Sequence, residues 1–184
     1  MKRVARADLL DWVTYDERRG ELRPSAMAAK DRRRVELGEH LVFLFENFET
    51  IRYQIQEMMR AERLVREADI QHEIETYNEL LGGAGELGCT LLIAIEDAER
   101  RPAKLREWLA LPDHVFVRLE SGREVRARFD PRQRGEDRLS SVQYLKFATS
   151  GEVPLAVGTD FEPLRGETRL TEEQRAALAE DLAS

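Results

Sequence analysis

One cysteine, three histidines and six prolines are spread over 184 residues, and each scarcity removes a class of function. A lone thiol makes no internal disulfide, and dithiol redox chemistry would need a second chain. Cys89 also sits in the apolar run Cys89 to Ile95, the setting of a small buried hydrophobe rather than of an activated thiolate. His40, His72 and His114 lie far apart, and no nucleophile elbow, phosphate-binding Walker loop, HExxH or CxxC occurs. No apolar run approaches the roughly 20 residues of a membrane-spanning helix. The opening MKRVARADLLDWV carries basic residues without an apolar segment behind them. A cytoplasmic protein with no membrane partner is expected. Positive charge is not in excess either: the formal net charge is -7, so a basic footprint for nucleic acid is missing.

What is abundant is charge of both signs, 35% of residues, beside an apolar fraction of 42%. That balance suits charge-laced helices with one face in water. The length suits one domain with an appended arm. Residues 151–184 hold eight Asp or Glu against three Arg, so five of the seven net negative charges lie there. We expect residues 1–150 to form a single domain and 151–184 an irregular acidic arm ending in a helix.

Along the chain, Asp8 is placed to cap a short helix ending near Gly20, and Pro24-Ser25 to open a second, Ala-rich one. His40–Glu46 (HLVFLFE) is apolar on both faces and reads as a central strand. Asn47 then caps a helix reaching about Arg66, whose apolar stripe is Phe48, Ile51, Ile55, Met58 and Met59. Asp69 is the expected cap of a following helix with the stripe Ile70, Ile74, Tyr77 and Leu81. CTLLIAIE and SVQYLKFA read as strands, and VFVRLE with REVRARF as a hairpin across a two-residue turn at Ser121-Gly122. Thr171 and Gln174 form a capping box for a last helix ending at Leu182. The fold class expected is α+β: a largely antiparallel sheet of about five strands, a long helical hairpin packed on it, and a C-terminal arm closing in a short helix.

The densest polar stretch runs from Phe45 to Leu81. Glu46, Glu49, Tyr53, Glu57 and Arg60 share the side of the first helix opposite its apolar stripe. Glu46 ends a buried strand, so its carboxylate needs a partner, and Arg60, Gln143 or Lys146 could serve. Gln143 is in register with Leu145 and Phe147 and so points inward. These six residues, Glu46, Glu49, Tyr53, Glu57, Arg60 and Gln143, make the candidate polar pocket, with a structural ion-pair network as the competing reading. Asp69 and His72 have the i, i+3 spacing of a ligand pair, but a single such pair falls short of a di-metal site. No metal or other cofactor is expected.

Three further patterns have bland explanations. Gly83 to Gly88, GAGELG, matches a dinucleotide fingerprint by letter, yet a helix precedes it and a strand follows, the reverse of the order the mechanism needs. Arg118, Arg126 and Arg128 alternate with acidic residues on one face of the hairpin, as cross-strand ion pairs do. Lys30, Arg32, Arg33 and Arg34 form a denser basic patch, suited to an acidic partner or to the acidic arm itself.

The segments RRVEL, FENFETIRYQIQEMMRAERL, EIETYNELL, GELGCTLLI and SSVQYLKF together resemble one uncharacterised bacterial family, the domain of unknown function thirty-five-oh-one. The resemblance runs from about Leu9 to Phe147, and FEN…RYQIQEM is its most specific part. It assigns no catalytic residue. It implies an accessory part in redox or peroxide defence, since members are often encoded beside rubrerythrin-like and iron–sulfur oxidoreductase proteins.

Two functional readings are therefore carried forward. The first is a non-enzymatic accessory or binding protein, acting through a protein partner or through self-association as a homodimer. The second is an enzyme using acid–base or divalent-metal chemistry around Glu46 and Glu57.

Overall fold

The computed structural model describes Met1–Ser184. The fold is α+β, with antiparallel sheets and five helices. Helix α1 (Trp12–Asp31) leads into strands β1 (Arg34–Leu37) and β2 (Leu41–Glu46). Helices α2 (Phe48–Glu62) and α3 (Glu67–Asn78) follow, then β3 (Leu87–Ile93) and the short α4 (Arg101–Glu107). The chain continues through β4 (Val115–Leu119), β5 (Glu124–Arg126), β6 (Val142–Phe147), β7 (Pro154–Thr159) and β8 (Gly166–Arg169) to α5 (Glu172–Leu182).

The eight strands form two four-stranded sheets, ordered β1-β2-β3-β6 and β5-β4-β7-β8. The alternation in β2 sends Phe43 and Phe45 to one face, where they join Leu91, Leu145 and Phe147 of the same sheet. Val117, Val125 and Val157 of the second sheet complete the same buried cluster. Arg128, just past β5, exchanges two backbone hydrogen bonds of 2.8 Å with Lys146 of β6, so the two sheets are stitched together at that corner.

The apolar stripe of α2 serves a second core. Ile51, Ile55 and Met59 meet Ile70, Ile74 and Leu81 of the α3 region and Val4 and Leu9 of the N-terminal segment. Each such side chain withdrawn from water contributes about 1.5–3 kcal/mol. The helical hairpin thus carries its own core and joins the first sheet at the ends of β2 and β3.

Several local expectations need correction. The two N-terminal helices are one, α1, capped by Asp11, whose carboxylate accepts from Val13 and Thr14. Pro24 lies inside it, and the carbonyl its ring crowds belongs to Gly20, four residues earlier, where the backbone yields most readily. Helix α2 stops at Glu62 because Arg63 turns left-handed, with φ 52°. Asp69 does not cap α3; it lies in the first turn and pairs with Arg66 at 2.7 Å. The β4–β5 turn has three residues, not two. Leu119 opposes Arg123, and Gly122 takes the left-handed position with φ 82°.

The largest difference concerns residues 151–184. The stretch read as an irregular arm contains β7 and β8, and β7 is a central strand of the second sheet, paired with both β4 and β8. Its Pro154 and Gly158 look like strand breakers in isolation. Pro154 is the first residue of the strand, where no ladder donor is required, and Gly158 makes room for the ring of Phe116 on the neighbouring strand. The capping box of Thr171 and Gln174 forms as expected.

Candidate functional site

Glu57 is the best-connected carboxylate of the candidate pocket. It projects from α2 toward α1, where the Tyr15 hydroxyl donates to Oε1 at 2.7 Å and Arg19 binds both oxygens at 2.7 and 3.0 Å. Arg60 adds a contact at 3.6 Å and reaches Asp16 at 3.4 Å. Burial alone would raise the Glu57 pKa, but Arg19, Tyr15 and Arg60 together outweigh it and hold the carboxyl below its usual range. Tyr15 is pushed the other way, by burial and by the carboxylate it serves, so it stays a protonated donor. The arrangement is an ion-pair network that fastens α1 to α2.

Glu46 stands apart from it. Its two oxygens accept from the Thr50 hydroxyl at 2.6 Å and the Thr90 hydroxyl at 2.7 Å, so its partners are neutral. None of the expected partners serves it. Arg60 belongs to Glu57 and Asp16. Gln143 is fully buried in the inter-sheet core and donates to the Ser140 carbonyl. Lys146 lies two strands away across Gly88, roughly 10 Å at ordinary strand spacing. Eleven residues separate Glu46 from Glu57, about 16 Å at helical rise. Glu49 pairs with Arg52 at 2.7 Å, and Tyr53 lies under Lys30 at 5.0 Å. The six residues therefore divide among separate surroundings and do not share one cavity.

Two residues of the basic patch, Arg32 and Arg33, meet the acidic C-terminal helix. Arg33 and Asp181, 4% and 6% exposed, make a bidentate pair at 2.7 and 2.8 Å. Arg33 also donates to the Ala29 carbonyl, and Asn47 to Asp181 at 3.2 Å. Arg32 pairs with Glu180 at 3.4 Å and Glu173 at 3.8 Å, and Arg34 with Glu36 at 2.9 Å. On the second sheet, Arg118 bonds Glu167 at 2.7 Å and Glu124 at 3.0 Å, while Arg126 holds Asp160 at 2.7 Å. That face is occupied by its own cross-strand pairs.

The remaining chemistry-bearing groups do not converge on one another. Cys89 is buried, and burial pushes its thiol well above the ordinary value. His72 is exposed on α3, Asp69 is engaged by Arg66, and no three His, Cys, Asp or Glu side chains converge in the manner of a metal site. The GAGELG loop closes on itself: the Gly83 N–H donates to the Glu86 carboxylate at 3.2 Å, and Arg128 covers the other oxygen. No helix is long and apolar enough to cross a membrane.

Residues 3–182 match the family described as Protein of unknown function (DUF3501). The chain belongs to this family. Its fold is similar to the crystal structure of a novel protein of unknown function from Burkholderia pseudomallei K96243, with TM-score 0.89 and 31% identity. That likeness covers 98% of this chain and 100% of the other. No curated protein matches the sequence.

Beyond the expected residues, this DUF3501 chain has a recess of about 540 Å³ where α3, β6 and the loop after β5 meet the N-terminal segment. Arg3, Glu79, Arg128, Tyr144 and Lys146 line it. Sequence reasoning considered Lys146 only as a partner for Glu46 and passed over Tyr144. The alternation in SVQYLKF held the signal, because it puts Tyr144 and Lys146 on the same outward face. Tyr15 and Arg19 were also passed over as partners; they lie 42 and 38 residues from Glu57. Asp181, 148 residues from Arg33, lies in the acidic segment that the sequence offered as one partner of the basic patch, without being singled out there.

Proposed function

We propose that this DUF3501 protein is a non-enzymatic binding protein, an accessory to a redox or peroxide-defence system that works through protein–protein contacts. One observation carries the reading. The groups with the chemistry to act as acid, base or nucleophile are spent inside the fold: Glu57 on Arg19 and Tyr15, Glu46 on two threonine hydroxyls, and Cys89 in the core. Perturbed, accessible titratable groups are the usual mark of a reaction centre, and here the perturbed ones are explained by burial, as for Cys89 and Tyr77, or by structural pairing, as for Glu57. The redox setting is supported by the family resemblance of the sequence, not by any group at the surface. A cytoplasmic location and self-association as a homodimer belong to the same proposal.

The enzyme reading needs Glu46 and Glu57 to act together, and their separate networks work against it. Size-exclusion and calorimetric titration of the full chain against a purified rubrerythrin-type protein test the proposal, with a native mass measurement for the homodimer. A saturable complex is expected. Visible absorbance from iron or flavin bound to the purified protein, or no complex with redox proteins of this type, would overturn it.

A further inference from the structure

We propose that the recess between α3, β6 and the loop after β5 is a binding site for a small aromatic monocarboxylate. The inference stands apart from the protein-partner reading, because it concerns a ligand and not a docking face.

Charge marks the place. Most Arg and Lys side chains of this chain are paired with a carboxylate or laid on an aromatic ring. Arg3 and Lys146 have neither kind of partner, as is also true of Arg23, Arg101, Arg138 and Arg169, but these two line the same recess. The other charges there cancel in place, Arg128 against Glu86 and Asp130 against Arg132. Glu79 is the only remaining carboxylate on the lining. Two free cations against one free carboxylate leave a single positive charge, the complement of a monoanion, within a chain whose overall charge is -7. The closing carbonyls of α3 do not oppose an anion, since those of Thr76, Tyr77 and Asn78 are taken by the N–H groups of Glu79, Leu80 and Leu81.

Shape and apolar lining set the body of the ligand. Tyr144 is 40% exposed, one of only three large apolar side chains so open, and its hydroxyl has no partner. Phe129 and Leu80 lie beside it on the lining. A volume of about 540 Å³ falls within the ordinary range of small-molecule sites, roughly 300–1,000 Å³. A flat ring seated beside Tyr144 with its carboxylate toward Lys146 and Arg3 uses all of these features.

The walls are also locked, as a preorganised site requires. The buried Asn78 side chain exchanges two hydrogen bonds with the Val4 backbone, at 2.9 and 2.8 Å, and so holds Arg3 at the mouth. The Gln133 side chain does the same for the edge strand, accepting from the Tyr144 N–H at 2.7 Å and donating to its carbonyl at 3.2 Å. The paired backbone bonds between Arg128 and Lys146 fix the third side.

Calorimetric titration of the full chain with 2-naphthoate, alongside neutral 2-naphthamide, tests the site. Saturable one-to-one binding of naphthoate is expected, with Lys146→Met and Arg3→Met each weakening it about tenfold, a change of ~1.4 kcal/mol. The amide should bind at least about tenfold more weakly than the acid. Arg169→Met, which removes a free cation elsewhere, should change nothing. Amide chemical shifts of the unmodified protein need no variant, and they should move at Tyr144, Lys146 and Asn78. Absence of saturation up to about 1 mM, where binding free energy is only ~4 kcal/mol, overturns the proposal. So do equal affinities for acid and amide, unchanged affinity in Lys146→Met, or shifts confined to other surfaces.

Discussion

Replacing Asp181 by alanine removes the partner of a guanidinium that is itself almost wholly out of water. Arg33 is 4% exposed and Asp181 6%, and their two bonds of 2.7 and 2.8 Å join the start of the first sheet to the C-terminal helix. After the substitution Arg33 keeps only the Ala29 carbonyl at 3.0 Å, and the Asn47 amide loses its acceptor as well. Breaking a buried pair by removing one member typically costs about 3–5 kcal/mol, because a charge is left desolvated and uncompensated. That is a large fraction of the roughly 5–15 kcal/mol that stabilises a domain. At about 2–4 °C per kcal/mol for a chain of this size, the midpoint of thermal unfolding should fall by roughly 6–20 °C. Urea titration with an unchanged slope is the cleaner assay, since it separates lost stability from a changed denatured state. The double variant Arg33→Met, Asp181→Leu removes both charges and fills the space, so it should be more stable than Asp181→Ala. A loss below about 1 kcal/mol in Asp181→Ala, or additivity of Arg33→Met and Asp181→Leu when each is also measured alone, would refute the assignment of this pair as a buried, coupled bridge.

Glu57→Gln keeps the shape of the α1–α2 contact but discharges it, and should cost about 1–2 kcal/mol at neutral pH in urea titration. The folded-state pKa of Glu57 lies below its ordinary value, so its contribution is complete above the normal glutamate range and fades as pH falls through the lower folded value. The gap between Glu57→Gln and the parent should therefore close in acid, and a gap that persists there would contradict the ionic account. Gly88→Ala places a methyl group about where the Leu80 carbonyl already is, 1.8 Å from its oxygen. Since backbone must move to accept it, a loss of roughly 3 kcal/mol or more is expected by calorimetry, and a neutral outcome would show the β3–loop contact to be looser than described. Cys89 should react with a disulfide reagent only as fast as the protein opens, because its thiol is buried and its pKa raised. Rapid labelling of native protein would overturn that.

Much of the fold was legible along the chain. Alternation and continuous apolar runs located β2, β3 and β6, and Asn47 and Thr171 announced the starts of α2 and α5. The α2 stripe was readable too: Ile51, Ile55 and Met59 are all buried. These signals are local, set by side-chain periodicity and by hydrogen bonds a few residues apart. Where local signals misled, a tertiary contact had changed the terms. Pro154 and Gly158 read as punctuation until Phe116 filled the space over Gly158, and Gly20 and Pro24 read as a break until one continuous helix ran through them.

The candidate site divides in the same way. Helical periodicity put Glu57 and Arg60 on one side of α2, where they are in contact at 3.6 Å, whereas Glu46 belongs to the preceding strand and has other partners. The basic run at Arg32 to Arg34 was plain in the sequence, as was the acidity of the last segment. Which charge meets which was decided by tertiary structure. Tyr15 and Arg19 reach Glu57 from another helix, Thr90 reaches Glu46 from another strand, and Asp181 meets Arg33 from the far end of the chain. Periodicity orders neighbours within one element, whereas ion pairing depends on distances between elements, and those are set only when the cores of both sheets and of the helical layer close.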